Sequence, residues 1–297
     1  IGPEIFTPEN AFIYGKWLGE RYRNRENLIW VLGGDRPLEN ETHRKIIDRM
    51  AEGLRQGDGG NHLITFHPCG AESSVNYLAG RSYIDFHAIQ SGHGLECYDS
   101  WQLLRNTIMT EKKPCMDMEC RYEDFPVSFN TDYGYFWNDA DVRQNIYWNM
   151  MEGACGFAYG HRLVWCFHGK DEQYRFSWQE ALDRPAAQQM KYAVRLRLNR
   201  PYGEFRPAPE LVETHTNGMS HQCAGREDRY AYLYSPLGLP LFTHLSSLGK
   251  TAIKASWFNP RTGEETVFAC VAPKDEVFVP PTQGKGEDWV LILDVLD

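Results

Sequence analysis

At 297 residues the chain exceeds a typical single domain, so two domains are the first expectation. Its 42% hydrophobic and 24% charged residues are those of an ordinary globular protein. A net charge of −9 argues against nucleic acid, which needs a basic face, and no apolar run reaches the roughly 18 residues of a membrane span. The nine Trp and 16 Tyr are a modest surplus. Most belong to a core, yet flat aromatic rings also stack on the C–H faces of sugars. Eight cysteines occur without a Cys-x-x-Cys pair, which speaks against a zinc ribbon or redox motif and for buried thiols.

The chain then alternates between two periodicities. Thr7 to about Tyr22 reads as a helix with Thr7 as N-cap, Pro8 in the first turn, and Ala11, Phe12, Tyr14, Trp17 and Leu18 as its apolar stripe. Leu28 to Leu32 is a buried-strand run ending in Gly33-Gly34-Asp35. A helix follows from about Glu41 to Arg55, closed by glycines after Gln56. Leu63–Phe66 is strand-like before His67-Pro68, and Tyr83–Ile89 before Gln90-Ser-Gly-His93. A helix is expected over Tyr98–Thr110, then a strand over Pro114–Met118 ending at Glu119. Asp139–Met151 reads as a helix, Gly156–Tyr159 as a strand before Gly160-His161, and Trp178–Leu198 as a last helix. Five strand–helix units in succession predict a parallel α/β architecture.

After Arg200 the character changes. Residues 201–209, rich in proline, are expected to be a linker. Short alternating runs over 229–234, 251–258, 265–269, 277–279 and 289–293 predict a small β-sandwich over 210–297. Residues 1–200 would form the other domain.

Polar groups gather just after the strands: Asp35, His67, His93, Glu119 and His161. Strand C-termini build the active sites of barrels and of open α/β sheets alike, and no Gly-x-Gly-x-x-Gly follows a strand to favour a dinucleotide. Cleaving a glycosidic bond usually takes two carboxyl groups. Asp35 and Glu119 each directly follow a strand run, which places them at the same end. Asp117, two residues before Glu119, shares its face one layer deeper. Around them Arg121 is a candidate to keep Glu119 ionised. His67, His93 and His161 are candidates for sugar hydroxyls, Tyr122, Tyr159 and Trp165 for stacking, and Glu123 for substrate or for Arg121.

These stretches resemble a family. Asn27-Leu-Ile-Trp-Val-Leu-Gly-Gly-Asp35, Gln90-Ser-Gly-His93, Lys113-Pro-Cys-Met-Asp-Met-Glu-Cys-Arg-Tyr-Glu123 and Ala158-Tyr-Gly-His161 are similar to the DUF4038-type glycosidases. These include the family 140 glycoside hydrolases, which act on apiose in pectic rhamnogalacturonan II. The resemblance implies a (β/α)8 TIM barrel, with Asp35 as acid/base and Glu119 as nucleophile of a retaining mechanism, and no cofactor. The C-terminal part, with Trp257-Phe-Asn-Pro-Arg-Thr-Gly263, resembles the collagen-binding-type β-sandwich that commonly follows that barrel. The chain departs at Met118-Glu-Cys-Arg-Tyr-Glu123, where the family usually has Gly-Glu-Pro-Arg-Tyr-Glu. It also shows only strands four to eight, with Gly2–Phe6 resembling the loop after strand three. The first three units are therefore expected as a separate segment acting as partner to an otherwise open barrel. A carbohydrate substrate and a secreted or periplasmic setting complete the expectation.

Two other readings compete. A metal-dependent hydrolase would draw ligands from His67, Asp85, His87, His93 and Glu119, although no metal-binding spacing is present. A non-catalytic glycan-binding scaffold would have no need of both carboxylates.

Overall fold

A computed structural model describes residues 5–170, 176–201, 203–213, 218–249 and 251–296. Residues 2–4 of the expected Gly2–Phe6 loop and Tyr202 of the expected linker lie outside them. The chain forms two compact units, one of residues 1–92 with 102–119, the other of 93–101 with 120–297.

In the first unit, helix α1 (Pro8–Tyr22) starts at Thr7, whose hydroxyl accepts the Asn10 N–H while its own N–H donates to Asn10 Oδ1. Its buried face matches the expected stripe only in part, at Ala11 and at Leu18, which packs against the core. Ala11, Gly15 and Gly19 are buried, whereas Tyr14 and Trp17 are 44% and 51% exposed. The cause is the crossing with α2 (Glu41–Asp58), where glycine meets backbone. A Cβ on Gly53 would sit 2.3 Å from Phe12 O, and one on Gly57 2.2 Å from Lys16 O. The glycines let the two backbones touch, and Tyr14 and Trp17 stay exposed.

Strand β1 (Trp30–Gly33) pairs in parallel with β2 (Ile64–His67). Then come β3 (Glu72–Ser73), the short helix α3 (Val75–Leu78), β4 (His87–Gln90), α4 (Ser100–Thr110) and β5 (Cys115–Asp117). β4 runs antiparallel to β3 and parallel to β5. The expected strand at Tyr83–Ile89 begins only at His87. Before it the chain turns through Ile84 N–H to Arg81 O, and the Asp85 carboxylate takes the Ile64 N–H and pairs with Arg55. Ile47, Leu54, Ile64 and Phe66 fill the core between α2 and the strands, each side chain stabilising by about 1.5–3 kcal/mol when fully buried.

In the second unit α5 (Asp139–Met151) is capped by Asn138, and every residue from Asp141 to Met151 is buried. β6 (Gly156–Phe157), α6 (Arg162–Trp165), α7 (Trp178–Ala181) and α8 (Pro185–Leu198) follow. The single helix expected over Trp178–Leu198 is two. Pro185 has no N–H and drives Arg184 into an extended conformation (φ −63°, ψ 149°), so it starts a helix rather than continuing one.

The remainder is antiparallel: β7 (Arg206–Pro207), β8 (Cys223–Arg226), β9 (Tyr230–Ser235), β10 (Leu241–His244), β11 (Ile253–Phe258), β12 (Glu265–Val271), β13 (Asp275–Phe278) and β14 (Trp289–Val295). Six of them form one sheet in the order β12-β11-β14-β9-β8-β7, and β10 pairs with β13. Arg206 and Pro207 are thus strand rather than linker, and Ala208 is buried beside them. The large sheet is covered on both faces. Leu233, Leu291 and Leu293 pack with Leu241 and Phe278, while Tyr232, Tyr234, Val290 and Ile292 pack with Ile146 and Met150 of α5 and Met190 of α8. Among the described residues, no helix is long and apolar enough to cross a membrane.

Candidate active site

Asp35 ends a turn of three consecutive positive φ angles, Gly33 at 79°, Gly34 at 127° and Asp35 at 47°. Gly33 has no alternative, because a Cβ there would lie 2.5 Å from the Phe66 ring. Asp tolerates the left-handed conformation better than most residues, and such backbone strain concentrates at functional sites. The turn is tied to the end of β2 by the Gly34 N–H, which donates to His67 O at 3.2 Å. Asp35 itself is exposed.

Glu119 follows β5 and is held through its backbone. Its N–H donates to Asp117 Oδ1 at 3.3 Å, and its carbonyl accepts the Gly92 N–H at 2.9 Å. Asp117 is fully buried and also takes the Ser91 hydroxyl at 2.6 Å. Gly92 sits at φ 69°, which favours glycine. A buried carboxylate and a tight turn therefore set the position of Glu119. Ser91 and Gly92 stood out in the sequence only as part of the strand-end cluster with His93; their part in placing Glu119 comes from these contacts.

His67 pairs with one of the two carboxylates. Its Nε2 is 3.3 Å from Glu119 Oε2, and its Nδ1 is 2.9 Å from Pro68 O. The hydrogen bond to Glu119 raises its pKa against the lowering effect of burial, and Pro68 O and the charges of Glu119 and Asp35 add to the rise. The first unit thus presents Asp35, His67 and Glu119 at the C-terminal ends of its parallel strands.

The second unit holds the other candidates, and several serve the fold. Arg121 is buried, donating to Tyr98 O, to Asp141 O at 3.2 Å and to Gln144 Oε1 at 3.3 Å, and it lies over the Tyr98, Trp137 and Trp148 rings. Burial pushes its pKa down. Glu123 does not fix Arg121. It accepts the Ala186 N–H at the start of α8 and the Tyr159 hydroxyl at 3.1 Å, and burial raises its pKa despite those bonds. His93 is enclosed by Tyr122, Phe125 and Phe129, with ring centroids 4.3, 4.7 and 5.6 Å away. Tyr122 needs Gly160, whose Cβ would lie 2.1 Å from its ring. His161 caps α6 with Nδ1 and turns Nε2 to Asp124 at 3.4 Å. Trp165 is 65% exposed.

The residues named for a metal have other partners. His87 bonds Ser74 and Glu111, and Asp85 bonds Arg55 and Ile64. Among the described residues no group of three His, Cys, Asp or Glu is arranged to hold a metal ion.

Residues 1–204 match the family model described as "Apiosidase-like, catalytic domain". Residues 207–294 match that of the "Putative collagen-binding domain of a collagenase". No curated protein matches the chain. Among solved structures it is similar to a glycoside hydrolase family 5 protein from Bacteroides vulgatus ATCC 8482, with 29% identity and a TM-score of 0.91 over 98% of this chain and 67% of that one. A second structure, titled glycoside hydrolase, gives 27% identity and a TM-score of 0.91 over 98% and 69%. A maltogenic α-amylase from Thermotoga neapolitana shares the fold at 10% identity and a TM-score of 0.54, covering 96% of this chain and 66% of its own. The chain therefore belongs to the apiosidase-like family and is a glycoside hydrolase, an α/β fold followed by an antiparallel sheet.

Proposed function

We propose that residues 1–200 are the last five units of a (β/α)8 barrel, and that Asp35 and Glu119 hydrolyse a glycosidic bond with retention of configuration. The observation that carries this reading is the placement of Asp35, His67 and Glu119 at strand ends of one unit, with His67 hydrogen-bonded to Glu119. A cationic imidazole favours ionised Glu119, the form a nucleophile requires. In the first step Glu119 attacks the anomeric carbon while protonated Asp35 gives its proton to the leaving oxygen. In the second, Asp35 takes a proton from the water that attacks the same carbon, and Glu119 departs as carboxylate. An apiose-bearing oligosaccharide of rhamnogalacturonan II is the substrate the family suggests. The test is hydrolysis of that oligosaccharide by Asp35→Asn and Glu119→Gln chains. Each is expected to lose on the order of 10²–10⁴-fold in rate, and undiminished hydrolysis by either would overturn the assignment.

A further inference from the structure

Within the second unit, just beyond Glu123, the chain surrounds a cavity of about 300 Å³ lined by neither Asp35 nor Glu119. That volume is at the small end of ligand sites. Its walls are Phe125, Phe129, Phe136 and Phe176, and its polar groups include Asp124, His161 and Arg184. Phe125 is buried, but Phe129 and Phe136 are 67% and 44% exposed.

Phe129 is held there against its backbone preference. Asp124, Ser128 and Phe129 have φ of 60°, 53° and 60° within six residues. A bulky residue in this region is an outlier that the surrounding structure must sustain. Hydrogen bonds sustain it: Asp124 N–H to Trp137 O at 2.8 Å, Ser128 N–H to His93 O at 2.9 Å, and Phe129 N–H to Pro126 O at 3.1 Å. The chain thus bears strain at a ring that stays largely in water.

The polar groups are pre-set and nearly neutral. Arg184 grips Asp124 through both carboxylate oxygens, at 2.6 and 3.0 Å, so their charges offset each other. His161 Nδ1 accepts the Leu163 N–H, which leaves its proton on Nε2 facing Asp124. Hydrogen bonds from this network together with aromatic walls suit a ligand with an apolar face and hydroxyl edges. A lipid chain would leave the remaining hydrogen-bonding capacity of this network unused, and an anion would meet Asp124 and Glu123 as well as Arg162 and Arg184.

We propose that this cavity binds one uncharged sugar residue of a longer saccharide, its C–H face against Phe129 and Phe136 and its hydroxyls on Asp124, His161 and Arg184. That the saccharide is also the substrate rests on the glycosidase reading; the chemistry of the cavity does not. The test uses the full chain carrying Glu119→Gln on an array of neutral and acidic plant and bacterial oligosaccharides. Binding to neutral-sugar glycans is expected, weakened at least tenfold by Phe129→Ala and by Phe136→Ala with an unchanged melting temperature. No binding at all, binding confined to acidic glycans, or equal binding by the Phe variants would overturn the proposal. Turnover by the chain with Glu119 intact is read separately. A chain that binds in this way but never cleaves contradicts the glycosidase mechanism and leaves the cavity assignment standing.

Discussion

His67 stands with both ring nitrogens against acceptors, Nε2 at 3.3 Å from Glu119 Oε2 and Nδ1 at 2.9 Å from Pro68 O. Only the doubly protonated ring donates to both, so the two contacts together favour the imidazolium form. Its pKa is raised above 6.5, chiefly by Glu119. Because the folded value is the higher one, the stabilisation is fully present below the unfolded pKa. It is lost as pH rises through the folded pKa. An NMR titration should therefore show His67 losing its proton at lower pH in Glu119→Gln than in the unaltered chain. Equal titration in both would contradict the pairing.

The crossing of α1 and α2 makes a prediction that runs against helix propensity. Gly57→Ala should gain about 1 kcal/mol of intrinsic helix stability. Its Cβ would nevertheless meet Lys16 O at 2.2 Å and force the helices apart. A net loss of about 1–3 kcal/mol in urea unfolding is expected, whereas a neutral or stabilised variant would show that the helices do not approach so closely.

Arg121 separates a structural role from a binding one. Its removal leaves Tyr98 O, Asp141 O and Gln144 Oε1 without that donor and opens a space among three aromatic rings. Arg121→Ala should lose about 3 kcal/mol of stability. A variant of normal melting temperature and a raised KM would instead place Arg121 at the substrate.

In the second unit, buried Arg143 of α5 holds Asp288, just before β14, through hydrogen bonds of 2.7–3.1 Å. Asp288→Ala leaves that guanidinium short of its buried counter-charge and should cost about 3 kcal/mol. Calorimetric unfolding checks this, and a melting temperature within a degree of the original would refute it.

Much of this was legible in the chain. Asp35 and Glu119 stood out because apolar strand runs end directly on them, and the N-cap at Thr7 followed from local chemistry. Tertiary contacts hid the rest. The α1 stripe misled in part because glycine-to-backbone contact is invisible to a hydrophobicity pattern. Alternation over 229–234 suggested one buried face, yet every residue of β9 is buried, Tyr232 and Tyr234 against the helices and Leu233 on the other face. Arg121 read as a site residue because it stands two positions from Glu119, while its partners come from residues 98, 141 and 144. Asp124 and Arg184 were missed because 60 residues separate the two halves of the pair.

The most direct test of the central claim is the mass of Glu119-containing peptide after rapid quenching of the Asp35→Asn chain with a dinitrophenyl apioside, whose leaving group departs without a proton. Without its acid/base the enzyme should release the sugar slowly. The account predicts that this peptide gains the mass of one glycosyl residue bound as an ester. A glycosyl group on any other residue, or continued turnover with Glu119 unmodified, would contradict it.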